Sequence, residues 1–406
     1  MIVQENRPLY NRKFAILEPH SDFATNPSLM CLVEEFIKNG VNVDIFMPED
    51  SNYHKIGNIV NVYPFPREFQ FWFGSVKNTL YNWRWLLRGA YRGKKVLYNK
   101  KYDLVFGINS EGIISAYNYS KKNNTPLIYL SYEIFFRDEL INDIEKKEKD
   151  IEVDASQHAQ LIVIQDERRA ELLGIENSIP NQKFVYLPVS PRSSKNLYKT
   201  DYLRNKFKIP TNNKIVLHSG SFDDWTYAKE LLNNVPTWPK YFTLVIHTSH
   251  SSTKLSKYIK IAKNSKVDNV FFSFDPLGPK EYEQLVASAD IGLVLYKETP
   301  HRKASHSRYL QKNIRNIGLS SGKFSYYMKY GLPIISIKQD TYGQLLGKYN
   351  FGYNISKPDE MAGALNNILS RYEYHSREAM RLFKEKLQFD LYWPNLSKRI
   401  IGILDA

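Results

Sequence analysis

Residues 318–335 read GLSSGKFSYYMKYGLPII. Two serines, a glycine and a lysine lead into an aromatic run, a glycine stops that run, and a proline opens a β-branched segment. This order predicts a helix capped by Ser320 or Ser321, with Gly322 and Lys323 in its first turn and Gly331 at its end. The last core strand should follow from Pro333. Helical spacing puts Phe324, Tyr327 and Met328 on a core-facing side. Lys323 and Tyr326 fall on another side, where both can reach a ligand. Free amides at a helix N-terminus, the positive end of the helix dipole and a lysine together make an anion site. A capped helix with a solvated lysine would read the same in isolation, so the surrounding chain has to decide.

Outward from this stretch, strand-like and helix-like segments alternate. FAILEP (14–19), VNVDIF (41–46), DLVFGIN (103–109), PLIYLSY (126–132), LIVIQD (161–166) and FVYLPV (184–189) read as strands of a first series. In the first helix, Asn26 caps, Pro27 suits the opening turn, and Gly40 suits the stop. KIVLHS (214–219), FTLVIHT (242–248), NVFFSF (269–274), IGLVLY (291–296) and PIISI (333–337) form a second series. Near-continuous apolar strands separated by helices indicate parallel sheets covered on both faces. The serine-rich, basic SPRSSKNLYKT (190–200) breaks the rhythm and reads as a linker. The expected organisation is an N-terminal domain over 1–190, a linker over 191–212, a second domain over 213–375 and a helical tail over 376–406. Two Rossmann-like α/β domains of this kind would face a central cleft, and ligands bind beyond the carboxyl ends of the strands.

A chain of 406 residues exceeds the size at which one core stops growing. Cys31 is the sole cysteine, which excludes an intramolecular disulfide and a cysteine zinc cluster. No signal-peptide pattern opens the sequence, and no apolar run is long enough to span a membrane. The expected location is therefore the cytoplasm. The net charge of +14 favours anionic partners. It is concentrated in two places. Residues 66–101 carry nine Lys or Arg against Glu68, interleaved with aromatics such as Trp72, Trp83 and Trp85. Residues 297–329 carry eight against Glu298.

The second domain holds another anion feature. HSGSF (218–222) follows its first strand, and the turn at Gly220 and Ser221 should aim backbone amides toward a ligand. With Arg302, Lys303 and Arg308 in the charged loop before residue 318, the pattern suggests a diphosphate. At this point the chain resembles the GT-B glycosyltransferases, and within them the family-4 group of bacterial polysaccharide enzymes. IYLSYEIF, QHAQLIVIQDERRAELL and the YLPV linker entry are similar to the acceptor half of such enzymes. HSGSF, ASADIGLVLY and SSGKFSYYMKYGLPII are similar to the donor half. The resemblance implies a nucleotide-sugar in the C-terminal domain, an acceptor in the N-terminal domain, and a chain end that returns to support the first domain. It assigns Gly220 and Ser221 to the phosphate-facing turn, and Ser321, Gly322 and Lys323 to the start of the donor helix, with Ser320 beside them as a further donor-binding candidate. Two positions depart from the pattern. Tyr326 stands where many members carry a ribose-binding glutamate. Asp223, Asp224 and Trp225 stand where Arg and Lys are usual.

No Asp-x-Asp motif stands at a strand end, and His247 and His250 read as loop histidines, so neither a metal nor a cofactor is expected. Helix N-termini and positive side chains can stabilise a diphosphate leaving group unaided. An inverting transfer also needs a base. Glu133, after PLIYLSY, is the first choice, followed by His20 and Asp22; Glu18 and Glu111 occupy comparable places. Trp72, Trp83, Arg84, Trp85, Arg88 and Arg92 suit an anionic membrane surface or a lipid-linked acceptor, though a helical insertion with solvated cations fits as well. The reading is a hexosyltransferase-type glycosyltransferase of cell-surface polysaccharide or lipopolysaccharide synthesis. It would be bacterial, metal-independent and peripheral to the inner face of the cytoplasmic membrane. A nucleotide-sugar epimerase of the same fold is the alternative. A nucleic-acid-binding protein is the alternative from another class, but no nucleic-acid module is present and nucleic acid is not an expected partner.

Overall fold

The computed structural model describes residues 8–18, 23–48, 61–65, 96–140, 143–194, 198–249, 251–265, 267–298 and 311–406. The first series of elements is β1 Lys13–Leu17, α1 Pro27–Lys38, β2 Asn42–Pro48, β3 Asn61–Phe65, β4 Leu104–Ile108, α2 Asn109–Asn123, β5 Leu127–Leu130, α3 Asp143–His158, β6 Leu161–Ile164, α4 Glu167–Asn177 and β7 Phe184–Tyr186. The second begins with α5 Tyr202–Phe207, β8 Lys214–Ser219, α6 Ala228–Asn234, β9 Phe242–His247, α7 Ser256–Asn264, β10 Val270–Ser273, α8 Pro279–Ala287 and β11 Ile291–Val294. It continues with α9 Gln311–Arg315, α10 Gly322–Lys329, β12 Ile334–Ile337, α11 Asp340–Tyr349, β13 Gly352–Ile355, α12 Met361–Ser370, α13 Tyr372–Leu382 and α14 Trp393–Leu404.

The strands form two all-parallel sheets, as the alternating pattern predicts. One is ordered β3-β2-β1-β4-β5-β6-β7, the other β10-β9-β8-β11-β12-β13. In each, the chain winds outward one way and then returns to wind the other way. The strand order therefore reverses between β1 and β4, and again between β8 and β11. Such switch points leave a crevice beyond the strand ends where ligands bind.

The described residues divide into two compact units. Unit 1 lies within Met1–Val189, 311–313 and Phe389–Ala406. Its sheet buries alternate residues on opposite faces, as the period of two requires. Phe14, Ile16 and Phe106 pack in one layer with Phe389, Leu396 and Ile400 of the chain end. Ala15, Leu17, Val105 and Tyr129 pack in the other. Trp393 meets Phe36 edge-on, with ring centroids 5.9 Å apart, and Pro394 occupies the first turn of α14. In α1 the Asn26 side chain accepts the Leu29 amide at 3.1 Å, the cap that the sequence calls for.

Unit 2 takes the described residues within Ser190–Pro300 and Ile314–Gln388. Ile215, Leu217 and Ile334 face one core layer, and Val216, Ile335 and Ile337 the other. Residues 191–212, read as a linker, carry α5, and Leu203 and Ile209 are buried in the first of these layers. PIISI, expected to be the last strand, is followed by β13, with Ile334 paired to Gly352. Among the described residues no helix is long and apolar enough to cross a membrane.

Candidate functional site

The switch point of unit 2 is assembled from the ends of β8 and β11 and the mouth of α10. β8 delivers His218 and Ser219, both fully buried, to a turn at Gly220. Gly220 has φ +100°, a conformation that L side chains rarely adopt. Its amide donates to His247 O at 3.0 Å, and the Ser219 amide donates to the Tyr327 hydroxyl at 3.1 Å. Of the Ser-Gly-Ser turn, only the Ser221 amide is without an acceptor among the described residues.

Ser321 holds the cap position of α10 in extended backbone, with φ −83° and ψ 100°. Its hydroxyl pairs with the Tyr296 hydroxyl at 2.7 Å instead of turning back onto the helix. Ser320 Oγ donates to Ile317 O at 2.7 Å and closes the preceding turn. Neither serine side chain caps the helix, contrary to the sequence expectation, because a distant tyrosine takes the Ser321 hydroxyl and the carbonyl three residues back takes that of Ser320. The amides of Gly322, Lys323 and Phe324 consequently have no acceptor among the described residues.

Lys323 lies beside the Gly220 turn. A Cβ at Gly220 would stand 3.5 Å from Lys323 Nζ. The ammonium sits 5.1 Å from the centroid of the Tyr296 ring, which in turn stacks on Trp225 with ring centroids 5.9 Å apart and an interplanar angle of 18°. Among the described residues no carboxylate pairs with Lys323. Burial lowers its pKa to about 7. The His218 Nε2–H donates to Ser221 O at 3.0 Å, while Nδ1 is buried without a partner among the described residues. Burial first, and the Lys323 charge second, hold this imidazole down to about 3, so it stays neutral. Positive potential therefore collects here, with no counter-anion among the described residues: open amides from a turn and a helix mouth, the helix dipole and a lysine.

Tyr326 is buried, its ring standing edge-on to Tyr282 with centroids 4.9 Å apart. Tyr282 and Tyr327 both pair with Ser219 Oγ, at 2.8 and 2.9 Å. His247, read as a loop histidine, is buried at the end of β9, with Nδ1 3.1 Å from Ser273 Oγ and a pKa lowered by burial to about 4. His218, Ser219, Tyr282 and Tyr296 are the members to which sequence reading gives no role, and Trp225 stands there only as a departure from the family pattern. The signal was faint: His218, Ser219 and Tyr296 are polar residues closing otherwise apolar strands, and Tyr282 is one tyrosine within a helix.

In unit 1 the turn after β5 carries Glu133. Its amide donates to Asn109 Oδ1 at 3.1 Å, and its carboxylate accepts from Asn313 Nδ2. Glu18 follows β1 and is buried, and its amide donates to Phe46 O at 2.8 Å. Glu111 stands in the first turn of α2, where Ser110 Oγ donates to it at 3.3 Å. His20, Asp22, Trp72, Trp83, Arg84, Trp85, Arg88, Arg92, His250, Arg302, Lys303 and Arg308 lie outside the described residues. Among the described residues no group of three or more His, Cys, Asp or Glu side chains stands together.

No family model and no curated protein matches the chain. Solved structures do. HepE from Anabaena, in complex with UDP-glucose, superposes with a TM-score of 0.71 at 14% identity, over 97% of this chain and 100% of that one. Sucrose-phosphate synthase from Thermosynechococcus elongatus gives the same values: 0.71, 14%, 97% and 100%. The lipopolysaccharide outer core galactosyltransferase WaaB gives 0.57 at 15% identity, over 96% and 99%. The fold is GT-B, with two Rossmann-like units.

Proposed function

We propose that this protein is a glycosyltransferase that moves a sugar from a nucleotide-sugar to a glycan or lipid-linked acceptor in cell-surface polysaccharide synthesis. The observation that carries the reading is the positive potential at the switch point of unit 2, which meets no carboxylate among the described residues. The amides of Ser221, Gly322 and Lys323, together with the Lys323 ammonium, form a cradle for the diphosphate of a nucleotide-sugar. A relative in fold binds UDP-glucose, which supports a donor of this class.

The chemistry follows from charge. As the bond between the anomeric carbon and the diphosphate oxygen breaks, negative charge grows on the diphosphate. Lys323 and the α10 amides already face that charge and need no reorganisation. This arrangement supports a metal-independent transfer of a hexose with no cofactor. In an inverting transfer the acceptor oxygen forms the new bond to the anomeric carbon, and Glu133 takes the hydroxyl proton.

Incubation with UDP-, GDP-, ADP- and dTDP-linked sugars tests the reading. Release of the nucleoside diphosphate from one donor is expected. Isomerisation of the sugar with the nucleotide still attached would replace transfer by epimerisation. We place the acceptor face at the basic aromatic stretch 66–101, on composition alone. Alanine at Arg84, Arg88 and Arg92 should release the protein from phosphatidylglycerol vesicles while UDP binding persists. Unchanged vesicle binding removes the membrane part of the proposal.

A further inference from the structure

We infer that Asn313 is a positioning residue for Glu133, and that with Asn109 it clamps the turn carrying that carboxylate. The inference rests on the reading of Glu133 as the group that meets the acceptor hydroxyl.

The turn after β5 is held almost wholly by side chains. Three successive amides go to asparagine oxygens. Tyr132 N and Glu133 N donate to Asn109 Oδ1 at 2.9 and 3.1 Å, and Ile134 N donates to Asn313 Oδ1 at 3.1 Å. Its carbonyls are held in the same way. Ser131 O accepts Gln165 Nε2 at 2.8 Å, and Tyr132 O accepts Arg169 Nη2 at 2.7 Å. Asn109 adopts φ +52°, in the left-handed region that asparagine tolerates better than most residues. Asn313 and Arg169 are both buried.

The network also fixes which way the Asn313 amide points. Its Oδ1 faces two donors, Ile134 N and the Arg169 guanidinium, the latter 3.4 to 3.5 Å away. The NH2 end must then face the Glu133 carboxylate, as observed. Bracing the turn requires only an acceptor at position 313. The donor end does something more: it fixes one carboxylate oxygen and so sets the direction of the other. Asn313 is 180 positions from Glu133 in sequence and comes from the chain between β11 and α10. Nothing local could supply this contact.

Aspartate at position 313 keeps the acceptor for Ile134 and Arg169, removes the donor, and sets a second carboxylate against that of Glu133, which pushes the turn apart. The full chain is compared with Asn313→Asp, Glu133→Gln and the exchanged pair Glu133→Gln/Asn313→Asp. Hydrogen exchange across 131–136 and UDP release from UDP-glucose are read for each. Asn313→Asp should speed exchange in this segment and lower kcat at least about tenfold, with KM for UDP-glucose unchanged. In the exchanged pair the introduced amide can donate to the introduced carboxylate. That variant should regain protection but not turnover, because the carboxylate at position 133 is gone. Loss of protection with normal kcat in Asn313→Asp would leave Asn313 a mere brace and overturn the inference. So would a double variant that regains no protection. A wild type that turns over none of the UDP-, GDP-, ADP- and dTDP-linked sugars and gains no thermal stability with any of these nucleotides would sink the transferase reading instead, and the exchange comparison would still report on the clamp.

Discussion

Among the described residues no carboxylate pairs with Lys323, and its titration should show it. Burial lowers its pKa to about 7, far below the ordinary 10.5 of lysine. Between these values the unfolded chain binds the extra proton and the folded chain does not. This residue's contribution to stability therefore rises with pH across that window, and its cost is full below the lower value. A diphosphate reverses the preference by favouring the charged ammonium. UDP binding at pH 8 should take up close to one proton, read by calorimetry in buffers of different ionisation enthalpy. Lys323→Arg, always charged, should abolish the uptake. Buffer-independent heats in the wild type would show that Lys323 does not meet the phosphates.

At the scale of elements, α10 and β11 are fitted to each other through a glycine. A Cβ at Gly292 would stand 2.3 Å from the Tyr327 ring. That ring holds the end of β8 through Ser219, and its hydroxyl also donates to Leu217 O at 3.2 Å. Gly292→Ala should therefore destabilise unit 2 by about 1–3 kcal/mol and weaken the UDP response. A variant with wild-type thermal midpoint and UDP shift would show that the ring has room to move. Elements of this kind were legible in sequence where burial was complete. IGLVLY and LIVIQD are apolar runs that only a covered parallel strand explains. β3 was hidden because Pro64 interrupts its pattern; among the described residues this strand lies at the sheet edge and pairs only with β2, where proline is tolerated. β13 was hidden because GYNI is half-covered and has no apolar pattern. The mouth of α10 was legible as small residues before a lysine. The capture of Ser321 by Tyr296, and of Glu133 by Asn313, was not, since each depends on a partner distant in sequence that no periodicity announces.

On the scale of the whole molecule, each unit has its own core, and the chain end belongs to the first. Phe389, Leu396 and Ile400 are fully buried among residues of β1, β2 and β4. Truncation after Gln388 should leave unit 1 without a closed core while unit 2 keeps its cradle. Calorimetry should then lose one transition and retain a UDP-responsive one. Two intact transitions in the truncated chain would contradict this division. The central claim is that the mouth of α10 binds the diphosphate of a nucleotide. It is tested most directly by thermal shift with UDP, GDP, CMP, ADP and dTDP at fixed salt, with and without EDTA, in the wild type and in Lys323→Ala. A ligand that binds only the native state must raise the midpoint. One nucleotide should raise it irrespective of EDTA, and the alanine variant should lose about 2 kcal/mol of that affinity, roughly thirtyfold in Kd, at an unliganded midpoint no lower than wild type. No shift with any nucleotide, or an equal shift in Lys323→Ala, would contradict the account.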